Sequence, residues 1–104
     1  SQEEKQVLRQ VLESFLKTYY EGSDQDVSYY VSENSTIKHG LGGAFTYEGI
    51  KRMSVYSLEE NGKYLANVAV TVTDNGMEIE QDMYIYLSKK DGKTYIDQIV
   101  TRVK

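Results

Sequence analysis

The sequence predicts an α+β domain in which N-terminal helices pack on a curved four-stranded antiparallel meander sheet. Three observations carry the prediction. An apolar stripe of helical period opens the chain, a period-two pattern fills its second half, and three Asx-Gly pairs punctuate that half. From Gln2 to Tyr20, Leu8, Val11, Leu12, Phe15, Leu16 and Tyr19 recur at spacings of three and four, which sets one buried helix face. Gly22 is a stop signal, and Ser23 offers an N-cap for a second, shorter helix through Val27, Tyr29, Tyr30 and Val31. The stretch from Ser32 to Gly49, with His39-Gly40-Leu41-Gly42-Gly43, reads as mostly loop with room for a short strand or turn.

Beyond Gly49, Asn61-Gly62, Asn75-Gly76 and Asp91-Gly92 each carry the signature of a type I′ hairpin turn, so four strands follow one another. A two-residue turn fixes register, and register must place apolar residues on one face. The central turn sets Val72 against Ile79, Val68 against Met83 and Ala66 against Ile85. The last turn sets Leu87 against Ile96 and Met83 against Val100; the first sets Met53 against Val70 and Val55 against Val68. All three imply the same inner face, and the first helix belongs on it.

A chain of 104 residues supports one hydrophobic core. With 39% hydrophobic and 27% charged residues it is neither disordered nor membrane-spanning in composition. The net charge of −4 disfavours nucleic acid, whose binders cluster Lys and Arg on one face. The absence of cysteine excludes disulfides and thiol chemistry and leaves the compartment open. The chain opens on Ser1 and enters a helical pattern at once, so residues 1–104 read as a single domain excised from a longer protein.

No catalytic, metal or cofactor site emerges. Lys93-Thr94 after Gly92 resembles the end of a phosphate loop, but Leu87 stands where that motif needs its first glycine. The glycines at 40, 42 and 43 lack the strand and helix of a dinucleotide site. Asn34-Ser35-Thr36 fits the glycosylation pattern, which is short enough to arise by chance. His39 has no nucleophile context or second histidine and reads as a surface loop residue. Glu78, Glu80 and Asp82 alternate with Met77, Ile79, Gln81 and Met83, which places the carboxylates on a solvated outer face.

Two candidate surfaces remain. On the inner face the register places Gln81 and Arg102 in one row and Gln98 in another, polar positions that would mark the rim of a pocket or, more plainly, of the core. On the outer face it gathers Tyr56, Leu58, Leu65, Tyr84, Tyr86 and Ile99. A sheet face turned to water should be mostly polar, and tyrosine suits interfaces, so this cluster is the candidate interface; tyrosine's strand propensity is the plain alternative.

Leu8-Arg9-Gln10-Val11-Leu12-Glu13-Ser14-Phe15-Leu16-Lys17-Thr18-Tyr19-Tyr20, then Gly22-Ser23, the strand Tyr64-Leu65-Ala66-Asn67-Val68-Ala69-Val70, and the ending Tyr95-Ile96-Asp97-Gln98-Ile99-Val100 together carry a resemblance. The order of elements resembles the NTF2-like fold, with the cystatin-like arrangement a close relative. Within it, the pattern is similar to the C-terminal domain of TcpC-type conjugative transfer proteins, which themselves resemble the membrane-anchored bridging subunit of type IV secretion systems. The resemblance rests on element order and texture rather than on an invariant motif. It implies a non-catalytic assembly domain without cofactor, at the bacterial cell membrane and on its extracytoplasmic side. A missing N-terminal segment would supply the anchor, and the partners would be the domain itself and other transfer-channel proteins. The competing expectation is an NTF2-like isomerase or dehydratase, or a small-molecule binding module, using the inner pocket. A cavity beside Gln81 and Arg102 would favour that class, and a filled core would favour assembly.

Overall fold

In the computed structural model, which describes residues 1–101, helix α1 spans Gln2–Glu21. Ser1 caps it, its Oγ accepting the Glu4 N–H at 3.2 Å while the Glu4 carboxylate returns to the Ser1 nitrogen, a capping box. The apolar stripe lies against the sheet: Leu12, Phe15 and Leu16 are completely buried, with Leu8 and Tyr20 close behind. Tyr20, rather than Tyr19, closes the buried face, since it falls one turn beyond Leu16.

Gly22 ends α1 by close approach. Its N–H donates to the Thr18 carbonyl at 2.7 Å, and a Cβ there would stand 2.9 Å from that oxygen. The glycine-rich loop finishes the job. Leu41 N–H donates to Tyr19 O at 2.8 Å and Gly43 N–H to Tyr20 O at 2.9 Å, which satisfies carbonyls that a helix end leaves without partners. Gly40 must be small because a Cβ would lie 2.8 Å from the Tyr19 oxygen.

Helix α2, Asp24–Ser28, is capped by Ser23 as expected, its Oγ accepting from Asp26 N–H at 3.1 Å. It stops short of Val31 because the next residues meet the sheet instead. Ile96 N–H donates to Tyr30 O at 2.8 Å and Ser32 N–H to Ile96 O at 3.0 Å, with Val31 bridging Ile96 in parallel. Buried Ser35 extends this seam, donating to Asp97 O at 2.7 Å.

The sheet is an antiparallel meander of β1 (Thr46–Ser57), β2 (Lys63–Asp74), β3 (Met77–Lys90) and β4 (Lys93–Thr101), in the order β1-β2-β3-β4. Strand β1 therefore starts within the stretch expected to be loop. Asn75-Gly76 and Asp91-Gly92 form the expected tight turns, with positive φ at both residues of each. The β2–β3 register is as predicted: Val72 faces Ile79, Val68 faces Met83, and Ala66 faces Ile85.

Two registers differ from expectation. Asn61-Gly62 belongs to a longer loop, Glu59 to Gly62, closed by Leu58 N–H to Lys63 O at 2.9 Å and Lys63 N–H to Glu60 O at 3.2 Å. Met53 therefore faces Val68 rather than Val70, and Val55 faces Ala66 rather than Val68. The slip is two residues, so each side chain keeps its face. In β4, Leu87 faces Ile96 as predicted, but a bulge follows: Tyr86 faces Gln98, Ile85 faces Ile99 and Met83 faces Thr101 instead of Val100. This slip is one residue, and beyond it every β4 side chain changes face.

Candidate functional site

The inner face of the sheet is filled. Ala66, Val68, Val70, Val72, Ile85 and Ile96 have no exposed surface, nor do Leu12, Phe15 and Leu16 opposite them, so no void able to admit water separates helix from sheet there. Gln81 sits half-buried at the rim of the core. Its side-chain oxygen accepts the hydroxyl of buried Tyr20, which gives both polar groups a partner at the wide end of the core. The Tyr20 ring stacks on Tyr47, centroids 6.1 Å apart, and Tyr47 in turn donates to the Glu13 carboxylate. Burial, and secondarily the neighbouring Tyr19, pushes Tyr20 up to about 12. Burial raises Tyr47 as well, reinforced by the hydrogen bond to Glu13. Both hydroxyls stay protonated at neutral pH and serve as hydrogen-bond donors rather than bases.

The bulge in β4 corrects two site assignments. Gln98, expected on the inner rim, lies opposite Tyr86 and is exposed, while Ile99, expected on the outer face, packs against the core. The sequence Asp97-Gln98-Ile99-Val100 fits either alternation, so only the pairing decides between them. Arg102, the third rim residue, lies outside the described residues.

On the outer face Tyr56, Leu65, Tyr86 and Gln98 form one cross-strand row, and Ser54, Asn67, Tyr84 and Val100 the next. Tyr56 is 55% exposed, and Leu58 next to it and Val100 on β4 are exposed as well. Leu65, Tyr84 and Tyr86 are half-buried. The helix covers the opposite face, so this row of aromatic and aliphatic surface spans three adjacent strands with no covering element among the described residues. Of the six residues expected there, five lie on this side, with Val100 taking the place of Ile99. At the far end of the same face, Glu80 holds Lys51 Nζ at 3.0 Å and Arg52 at 2.9 Å. Those two bonds hold the Glu80 carboxyl below its ordinary range.

His39 is an exposed loop residue, as expected, with Nδ1 2.8 Å from Asp24. Its hydrogen bond, and that of Gly40 N–H at 2.9 Å, lower the Asp24 carboxyl. A groove of about 690 Å³ runs between Val11 of α1, Tyr29 and Tyr30 after α2, and Thr94, away from Gln81 and outside the core. Among the described residues no cluster of acidic and histidine side chains suits a metal ion, and no helix is long and apolar enough to cross a membrane. The sequence reading missed Tyr20 and Tyr47 as the polar closure of the core. The available signal was the spacing of four from Leu16 to Tyr20.

A family model described as "Conjugative transposon protein TcpC" matches residues 1–97. A solved structure described as an "Ntf2 like protein involved in plasmid conjugation" superposes with a TM-score of 0.92 at 24% identity. The match covers 98% of this chain and 40% of that one, so the chain spans less than half of that neighbour's length. At this identity the likeness establishes an NTF2-like fold. No curated protein matches significantly.

Proposed function

The chain belongs to the conjugative transposon protein TcpC family, a conjugation-related family with an NTF2-like fold, and from this we propose that it is a non-catalytic assembly domain of a conjugative transfer apparatus. The observation that carries the reading is the contrast between a core closed to ligands and an open tyrosine-rich face. Where an NTF2-like enzyme would place an acid or base in its cone, this chain places Leu, Val, Ile and Ala, closed by the Tyr20–Gln81 hydrogen bond. The outer row Tyr56-Leu65-Tyr86 has the amphipathic character that protein interfaces favour. In this reading the domain sits on the extracytoplasmic side of a bacterial membrane, tethered by a segment outside this sequence. It binds copies of itself and other proteins of a type IV secretion-like channel.

The test is the paired variant Tyr56→Ser with Tyr86→Ser. Both side chains point away from the core, so the thermal midpoint should fall by no more than about 8 °C. Capture of the other transfer proteins in pull-down should drop about tenfold or more, as for residues at the centre of an interface. A folded double variant that captures them as the parent does would remove this face from the assembly reading.

A further inference from the structure

A strand at a sheet edge exposes alternate N–H and C=O groups, and folded domains cover, charge or distort such edges. This sheet has two edges, β1 and β4. The β4 edge is covered at its middle: Ile96 exchanges hydrogen bonds with Tyr30 and Ser32, and Asp97 O receives Ser35.

Strand β1 is covered along its first half only. Leu58 N–H points toward β2, and β1 and β2 pair without interruption from Arg52 to Ser57. Antiparallel alternation then turns Tyr56, Ser54 and Arg52 inward and leaves Ser57, Val55 and Met53 facing outward. Before the bulge at Lys51 the outward residues are Ile50 and Tyr47, and α1 meets both. Arg9 donates to Ile50 O at 3.2 Å, and Glu21 accepts Tyr47 N–H at 2.7 Å. Nothing among the described residues meets the outward backbone groups of Met53, Val55 and Ser57. Between the bulge at Lys51 and the loop this stretch is regular and has neither a charged residue nor a proline to block pairing.

Its flanks identify the occupant. Lys51 and Arg52, two cations that share the one carboxylate of Glu80 and so leave that end net basic, precede it, and Glu59 and Glu60 follow it. An identical strand laid antiparallel brings the basic end of each copy beside the acidic end of the other, at both ends at once; parallel pairing would set like against like. We propose that β1 pairs with β1 of a second copy of this chain about a two-fold axis at Val55. Met53 then faces Ser57, and two sheets join into one of eight strands. The two Tyr56-Leu65-Tyr86 rows become neighbours on one continuous face. The choice of a second copy shares the self-association part of the assembly reading, while the edge is separate from the outer face that reading uses.

The experiment is sedimentation equilibrium with amide hydrogen exchange on the whole chain. The parent should dimerise with rising concentration, and the amides of Met53, Val55 and Ser57 should gain protection in step. Ser57→Pro removes an outward N–H that the fold does not use. It should keep the thermal midpoint within about 4 °C and weaken the dimer about tenfold or more, since the two-fold axis makes that bond twice. Lys51→Glu and Glu59→Lys should each weaken the dimer, and the two together should restore it. A parent still monomeric at about 1 mM overturns the proposal, as does a dimer indifferent to Ser57→Pro. Loss of partner capture in Tyr56→Ser with Tyr86→Ser, with this dimer unchanged, would separate face from edge.

Discussion

The two faces of the sheet are built from the same strands, yet they obey different rules. On the inner face, Ala66, Val68, Val70, Val72, Ile85 and Ile96 have no exposed surface beneath α1, and the Tyr20 hydroxyl and the Gln81 side-chain oxygen that enter it satisfy each other. On the outer face Tyr56, Leu65 and Tyr86 form an aromatic and aliphatic row without a covering element among the described residues. Burial makes the first face the source of stability, whereas the second has surface that stability does not require. The difference separates residues that fold the chain from residues available to a partner.

The largest effect should come from the helix that makes the inner face inner. Leu12 has no exposed surface, so Leu12→Asp places an unpaired charge in the core and should cost several kcal/mol out of the roughly 5 to 15 that a small domain holds. Circular dichroism should show an unfolded chain at room temperature. A variant with the parent's melting curve would mean that the inner face is not the source of stability.

A smaller effect tests how the polar closure works. Tyr20→Phe leaves the half-buried Gln81 oxygen without its donor and should cost about 1 kcal/mol in urea unfolding. It should also change the alkaline limb of stability. Tyr20 has its pKa raised to about 12 in the fold against 10.0 for an ordinary tyrosine, so above pH 10 the unfolded state sheds a proton that the folded state keeps. Stability is then full below pH 10 and falls as pH rises toward 12. In Tyr20→Phe that fall should be shallower, since only Tyr47 of the stacked pair still contributes.

How much of this was legible follows from the chemistry of particular turns. Asn75-Gly76 and Asp91-Gly92 could be read outright, because few residues other than Asx and Gly accept positive φ at consecutive positions. Asn61-Gly62 carried the same dipeptide, but Glu59 and Glu60 join its loop, and a two-residue slip leaves no trace in a period-two pattern. The β4 bulge was hidden for the opposite reason. Ile99 and Val100 are both apolar, so the sequence offers a credible inner residue in either register, and Ile99 and Gln98 were placed on each other's faces. On the helix, Tyr19 and Tyr20 compete at the end of the stripe, and the drift of 3.6 residues per turn favours Tyr20. Tyr56, Leu65, Tyr84 and Tyr86 keep the outer face because they lie on β1, β2 and β3, before the bulge, but the two-residue slip aligns Tyr56 with Leu65 and Tyr86 instead of with Asn67 and Tyr84. The capping of α1 by Leu41 and Gly43 was illegible, since it depends on where the loop crosses the helix end.

The outer face should respond weakly in stability even where it is most apolar. Leu65→Ser alone should shift unfolding by no more than about 1 kcal/mol, the span of strand propensities, because the residue is half-buried by neighbours rather than closed by a helix. A loss several times larger would mean that the row is a second core, and the division between the faces would fail.

The smallest effect concerns the charged end of that face, where register can be read without perturbing the fold. The β1 bulge turns both Lys51 and Arg52 toward Glu80 two strands away, and their hydrogen bonds lower its carboxyl from the ordinary 4.5. A lowered folded pKa means that the attraction is present above 4.5 and is lost as pH falls through the lower value. Because Glu80 is open to solvent, the titration itself is the measurement rather than stability. The Glu80 carboxyl carbon, followed by NMR, should titrate below 4.5 in the parent. Lys51→Gln should move its midpoint part of the way back, and Arg52→Gln should do the same. The two together should bring it to the ordinary value. If neither moves it, Lys51 and Arg52 do not share the outer face with Glu80, and the bulge does not aim both cations as described.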